Sequence, residues 1–211
     1  MNLQTSWDHV NADVFWGEIA PADHVLQIYE SDDILLDSLA GFIGGGIKAG
    51  ECVLIIASGN HLTALHRILT SFGISVSTLV SDERYIPLNA EAILSKFMRN
   101  GYPDEQLFGE TISFLFEKAV CKDRRVRVFN ELVGVLWEKG YHGAAIQLEN
   151  QWNQLKKIKI FTLFCAYLKA GFTSNSDESI RKICDCHSKI IDGSKNQLKE
   201  VVYTSQVRAA V

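Results

Sequence analysis

The stretch HVLQIYESDDILLDSLAGFI, residues 24–43, decides how the chain is read. His24–Tyr29 is a short apolar run of strand length, suited to burial on both faces. Asp32 and Asp33 then open an apolar-periodic segment, Ile34, Leu35, Leu39, Phe42 and Ile43. That is the spacing of a helix, with acidic residues at its positive end. The turn between strand and helix has neither glycine nor lysine. A phosphate site needs glycines that let backbone N–H groups wrap an anion, and a lysine to neutralise it. Glu30, Asp32 and Asp33 would instead repel a polyphosphate.

Working outward, the strand–helix alternation repeats. Val53–Ala57 is a continuous apolar run, as expected for a parallel strand covered on both sides. Leu62, Leu65, Ile68, Leu69 and Phe72 follow at helical spacing. Residues 74–80 and 84–88 read as short strands, and 89–100 and 104–120 as helices, with Pro103 placed at the start of the second. Val126–Phe129 reads as a buried strand, 132–139 and 142–156 as helices, 160–167 as the last clear strand, and 176–191 as a helix. Gly44, Gly45 and Gly46 read as the end of the first helix. This order predicts a three-layer α/β domain, a mainly parallel sheet with helices on both faces. The boundaries are an arm at 1–22, whose Trp7, Phe15 and Trp16 dock on the body, a domain at 23–191, and a tail at 192–211.

Composition removes several function classes. The 211 residues carry a formal net charge of −4, with 47% hydrophobic and 22% charged residues. The basic stretches 122–127 and 156–159 are short and interrupted, so nucleic-acid binding is not expected. No leader-like opening and no run of about 18 apolar residues is present, which points to a cytoplasmic chain without a membrane span. The five cysteines are odd in number and scattered, in keeping with a reducing compartment.

Two glycine patterns imitate nucleotide motifs. Gly45 and Gly50 have phosphate-loop spacing, but Glu51 stands where lysine is required and a strand follows. Gly44, Gly46 and Ala49 imitate a dinucleotide fingerprint, yet they close a helix instead of opening one. Cys184, Cys186 and His187 form a Cys-x-Cys-His cluster. On a helix the two cysteines would lie about 200° apart, leaving only Cys184 and His187 on one face. The cluster therefore reads as packed helix, and no metal and no cofactor is assigned. His61 and His66 read as a capping or surface pair. No serine or cysteine has the setting of an activated nucleophile, so no enzymatic activity is expected.

Ligands of open parallel sheets bind beyond the carboxyl ends of the strands. The residues there, with the aromatic residues that could converge on them, are Tyr29, Glu30, Ser58, His61, Glu131, Trp137, Trp152 and Tyr167. Together they would make a mainly apolar pocket with a few orienting groups. Alternatively, Trp137 and Trp152 anchor helices in the core.

Segments 24–42, 50–61, 85–90, 97–108, 126–137, 148–153 and 161–167 resemble the MEDS domain, the methanogen/methylotroph, dichloromethane-regulator sensory domain. The resemblance covers about residues 15–191 and extends to the Ile183-Cys184 and His187-Ser188 pairs. It implies a RecA/KaiC-like fold without its phosphate loop, in a bacterial or archaeal signalling protein. It further implies a small organic, hydrocarbon-derived ligand, and a histidine kinase or transcriptional regulator as partner. RecA-type relatives also form rings, which makes a homo-oligomer an option. Asn89 and Asn130 depart from the family pattern, which reads Leu-Asp-Ala and Phe-Gly-Glu there. The chain is thus expected to be a ligand-responsive sensory module. The alternatives are a ligand-free interaction scaffold and a residual nucleotide binder.

Overall fold

The structure is a computed structural model that describes residues 16, 19–120, 124–172, 177–194 and 197–203. Its strands are β1 (His24–Tyr29), β2 (Cys52–Ala57), β3 (Tyr85–Asn89), β4 (Met98–Arg99), β5 (Tyr102–Pro103), β6 (Val126–Asn130), β7 (Thr162–Leu168), β8 (Lys189–Ser194) and β9 (Gln197–Tyr203). Its helices are α1 (Asp32–Lys48), α2 (Gly59–Ser71), α3 (Val76–Ser81), α4 (Ala90–Phe97), α5 (Glu105–Val120), α6 (Leu132–Glu138), α7 (His142–Ile158), α8 (Lys169–Phe172) and α9 (Asp177–Asp185).

The main sheet runs β3-β2-β6-β7-β1-β8-β9, and only β9 is antiparallel to its neighbour; β4 and β5 form a separate small hairpin. The apolar runs therefore alternate sides within the sheet. Val53, Ile55 and Ala57 of β2 join α1, α2 and α3 in one core, while Cys52, Leu54 and Ile56 face the core built with α4 to α7 and α9. All six β2 residues are buried, the pattern of a strand covered on both faces. Each fully buried aliphatic side chain contributes roughly 1.5–3 kcal/mol. The expected three-layer α/β architecture is present.

Several local expectations fail for identifiable reasons. Pro103 does not open α5 but lies in β5, and Asp104 caps the helix by accepting from Leu107 N–H at 2.9 Å. Residues 74–80 are not a strand. The Ser75 hydroxyl accepts from Thr78 N–H at 3.3 Å and caps α3, overriding the β-preference of Ile74 and Val76. The helix expected at 176–191 ends at Asp185, and β8 follows, laying Ile190 against Leu26 and Ile191 against Gln27 of β1. Two adjacent apolar residues carry no period that separates helix from strand. Residues 197–203, within the stretch expected as a tail, form β9.

Nor do Gly44–Gly46 end α1, which continues to Lys48. A side chain at Gly45 would meet the Trp16 carbonyl oxygen at 2.8 Å, and one at Gly46 would meet Val53 Cγ2 at 2.6 Å. These glycines allow close approach. Gly50, with φ +74°, supplies the reversal into β2.

Trp16 is buried against Phe42 and Phe164, as the docking of its ring requires. Trp7 and Phe15 lie outside the described residues, as do positions 204–211 of the tail. Trp16 is held at the amino end of the sheet by Arg127. The guanidinium donates through Nε to Glu51 at 2.7 Å, and through one terminal nitrogen to the carbonyls of Trp16 at 2.9 Å and Phe42 at 3.3 Å.

Gly134 in α6 allows a close approach of helix to sheet. A Cβ there would stand 2.5 Å from the Ala166 carbonyl oxygen of β7. Backbone cannot swing aside as a side chain can, so Gly134→Ala is expected to destabilise the chain by roughly 1–3 kcal/mol. Chemical denaturation measures this. An unchanged midpoint would show that α6 slides freely on the sheet.

Candidate functional site

The topology creates a crevice before any side chain is considered. The chain leaves β2 into α2 in one helical layer, whereas it leaves the neighbouring β6 into α6 in the other layer. Between adjacent strands whose connections diverge, the carboxyl edge opens, and open α/β sheets bind ligands at such points.

Glu131 stands in this opening, immediately after β6. One carboxylate oxygen accepts from the Ser58 backbone N–H at 2.7 Å, and the other lies 2.7 Å from His61 Nδ1. Ser58 is the N-cap of α2, with its hydroxyl accepting from His61 N–H at 3.3 Å. The first N–H groups of a helix carry partial positive charge without an internal partner. Glu131 fills that position from within the protein. The far ring nitrogen of His61 faces Asp32 at 3.4 Å, on the opening turn of α1. His61 and Glu131 are buried, whereas the Asp32 side chain is 69% exposed. Asp32 therefore forms the wet lip of a mainly enclosed cluster.

The electrostatics follow. The hydrogen bond to Glu131 raises the His61 pKa to about 9 against the opposing effect of burial, and the charges of Glu131 and Asp32 add to it. His61 is thus an imidazolium at neutral pH, donating from Nδ1 to Glu131. Tyr29, at the end of β1, is held in its phenol form by burial, reinforced by Glu131, Glu138 and Asp32. Burial, then the Glu131 charge, also raises the Glu138 carboxyl. The cluster can hold a polar group with one fixed cation, two carboxylates and a phenol donor.

The sequence-selected residues divide into two groups. Tyr29, Ser58, His61 and Glu131 lie at this carboxyl edge. Glu30 is exposed beside them and pairs with Lys169 of α8 at 3.0 Å. Trp137, Trp152 and Tyr167 lie in the core of the other layer. Trp152 packs edge-on against Phe108, and Trp137 donates to the Gly171 carbonyl at 3.2 Å while meeting Tyr167 and Phe172. Tyr167 donates to Glu149 at 2.8 Å. Strand alternation explains the split: Tyr167 is in register with Ile28, one residue before Tyr29, so the two tyrosines project to opposite faces.

His61 and His66 also separate. His66 contacts the Tyr85 hydroxyl at 3.1 Å, a packing role. The Cys184-x-Cys186-His187 segment leaves its helix at Asp185. His187 is buried and Cys186 half-buried, so the angular argument from a continuous helix does not apply to them.

Among the buried polar residues passed over in the sequence is Glu149. For Glu149 a signal existed: it lies four residues after Ala145 and three before Trp152, on the stripe that α7 buries. Between strand β1 and helix α1 only Glu30 and Ser31 intervene, and Ser31, as N-cap, makes no side-chain capping bond.

Among solved structures, a protein from Pyrococcus horikoshii OT3 is similar in fold, with a TM-score of 0.56 and 11% identity over 92% of this chain and 91% of that one. At that identity the likeness concerns the fold alone. No curated protein sequence matches the chain. Residues 23–188 match the family model described as MEDS, MEthanogen/methylotroph, DcmR Sensory domain. The match takes in both strands that flank the crevice and every residue at its rim, and the chain therefore belongs to the MEDS family of sensory domains.

Proposed function

We propose that the chain is a non-enzymatic sensory module on a RecA/KaiC-like fold lacking a phosphate loop. It binds a small organic ligand at the carboxyl edge of the sheet and passes the resulting change to a histidine kinase or transcriptional regulator. The observation carrying this reading is the Ser58–Glu131–His61–Asp32 cluster, built across the divergent ends of β2 and β6. The short acidic turn Glu30–Asp33 disfavours a polyphosphate. The Ser58 hydroxyl is engaged as a helix cap, which supports a binding role over a nucleophilic one.

A ligand that displaces Glu131 from Ser58 and His61 would free the start of α2 and move it relative to β6. That is a two-state element on which a population shift can act. Titration calorimetry with small organic acids, alcohols and halocarbons tests the reading. Binding by one class is expected, weakened on the order of tenfold or more by His61→Asn and strengthened by Glu131→Gln, which loosens the group the ligand must displace. Silence across the panel, or binding indifferent to both variants, would favour a ligand-free scaffold. A thermal shift with ATP, GTP or cyclic dinucleotides would restore the nucleotide reading.

A further inference from the structure

Away from the crevice, in the layer of α7, four side chains from distant segments meet. They are His24 of β1, Glu149 of α7, Cys165 of β7 and His187 before β8, and all four are buried. One ligand-type atom from each lies within 4.8 Å of the others.

The separations are informative. His24 Nε2 is 3.4 Å from Cys165 Sγ and 3.5 Å from Glu149 Oε2. Cys165 Sγ is 3.6 Å from Glu149 Oε2, and His187 Nε2 is 3.6 Å from Glu149 Oε1. The two imidazole–carboxylate separations exceed the roughly 2.7–3.2 Å of an N–H···O hydrogen bond. Taken singly they match the edges of a coordination tetrahedron, but they reach different oxygens of Glu149 and the four atoms are spread within 4.8 Å, so a bound cation draws them closer. Bonds of about 2.0–2.1 Å to nitrogen and oxygen, and about 2.3 Å to sulfur, give edges of about 3.3–3.6 Å.

The surrounding groups aim the four atoms inward. His24 Nδ1 is 2.9 Å from the Cys186 carbonyl, and His187 Nδ1 is 2.7 Å from the Ile183 carbonyl. A carbonyl only accepts, so each Nδ1 carries the proton and each Nε2 turns its lone pair to the centre. Asn130 donates to the Cys165 sulfur at 3.4 Å, and Tyr167 donates to Glu149 at 2.8 Å. Both suit an anionic acceptor. A thiolate and a carboxylate together neutralise a dication, which a site with no exposure to water requires.

We propose that His24, Glu149, Cys165 and His187 form a closed, four-ligand site for a zinc-type divalent cation, joining β1, α7, β7 and the approach to β8. Two nitrogens, one sulfur and one oxygen are a borderline-soft set, and four protein ligands leave no open position for catalysis. The site is structural and independent of the carboxyl-edge cluster.

The test is to strip the intact chain with chelator, reload it with zinc(II) or cobalt(II), and count bound metal. One equivalent per chain is expected, with tetrahedral cobalt bands and a thiolate-to-cobalt charge-transfer band that Cys165→Ser removes. Tyr167→Phe, which alters only the support of Glu149, is expected to weaken affinity by about 10–100-fold. Should Cys165→Ser fail to fold, X-ray absorption of the zinc-loaded wild type gives the same answer, as one sulfur and three nitrogen or oxygen neighbours. Substoichiometric uptake by the wild type overturns the proposal. So does a zinc shell with no sulfur or with two, or a charge-transfer band that survives in Cys165→Ser.

Discussion

Arg127→Met is expected to lower the folding free energy by about 3–5 kcal/mol, the cost of leaving a buried charge without its partner. Arg127 and Glu51 are both buried, and their 2.7 Å contact is the direct neutralisation of the Glu51 carboxylate on its inner side. Arg125 also approaches Glu51, at 3.6 Å, but its side chain is 59% exposed and water screens it. Methionine keeps much of the stem packing and removes the guanidinium. The carbonyls of Trp16 and Phe42 lose their donor in the same step. The double variant Arg127→Met, Glu51→Leu should recover a large part of the loss, because no charge is then stranded. Urea unfolding of the wild type, the two single variants and the double variant completes the cycle. Additive losses would show that the two side chains act separately.

The second large effect is a pH dependence. His61 has an ordinary pKa of 6.5 and a folded value near 9, so its pairing is fully present below pH 6.5. Between 6.5 and 9 the folded chain keeps a proton that the unfolded chain releases, and stability falls as pH rises through that window. The full loss is roughly 3 kcal/mol. The groups facing the ring are Glu131, Asp32 and the Ser58–His61 cap, from the β6 end, α1 and α2 respectively. Glu131→Gln keeps an acceptor for the Ser58 N–H and removes the charge. Its unfolding free energy should therefore change far less across the same window. Wild-type and variant curves running parallel from pH 6.5 to 9 would mean that His61 is not held by Glu131.

The parts of this fold visible in the sequence were those encoded by local period and burial. The strands 24–29 and 53–57, the long helices, and the placement of Tyr29, Ser58, His61 and Glu131 at strand ends all follow from runs of apolar residues. Alternation alone separates Tyr29 from Tyr167, but it acts only once the strand register is known, and register is a pairing between distant segments. For the same reason Trp137 and Trp152 could be placed on buried faces without showing which layer they served. The turn after Asp185 was hidden because Cys186 and His187 continue an apparently helical pattern, while the pull of the β1 edge on residues 189–194 is a tertiary effect. Glu149 and His24 were hidden differently. Each resembles an ordinary polar residue in its own segment, and only their meeting gives them chemistry.

The seat at the start of α2 is taken by a carboxylate covalently tied to the same polypeptide. Free acetate, phosphate or any similar anion must therefore displace a competitor already held in place by the fold. Charge alone is a poor entry ticket. Under the proposed sensory role, a molecule that dislodges Glu131 must bring apolar contacts as well, which would keep the domain silent toward simple anions.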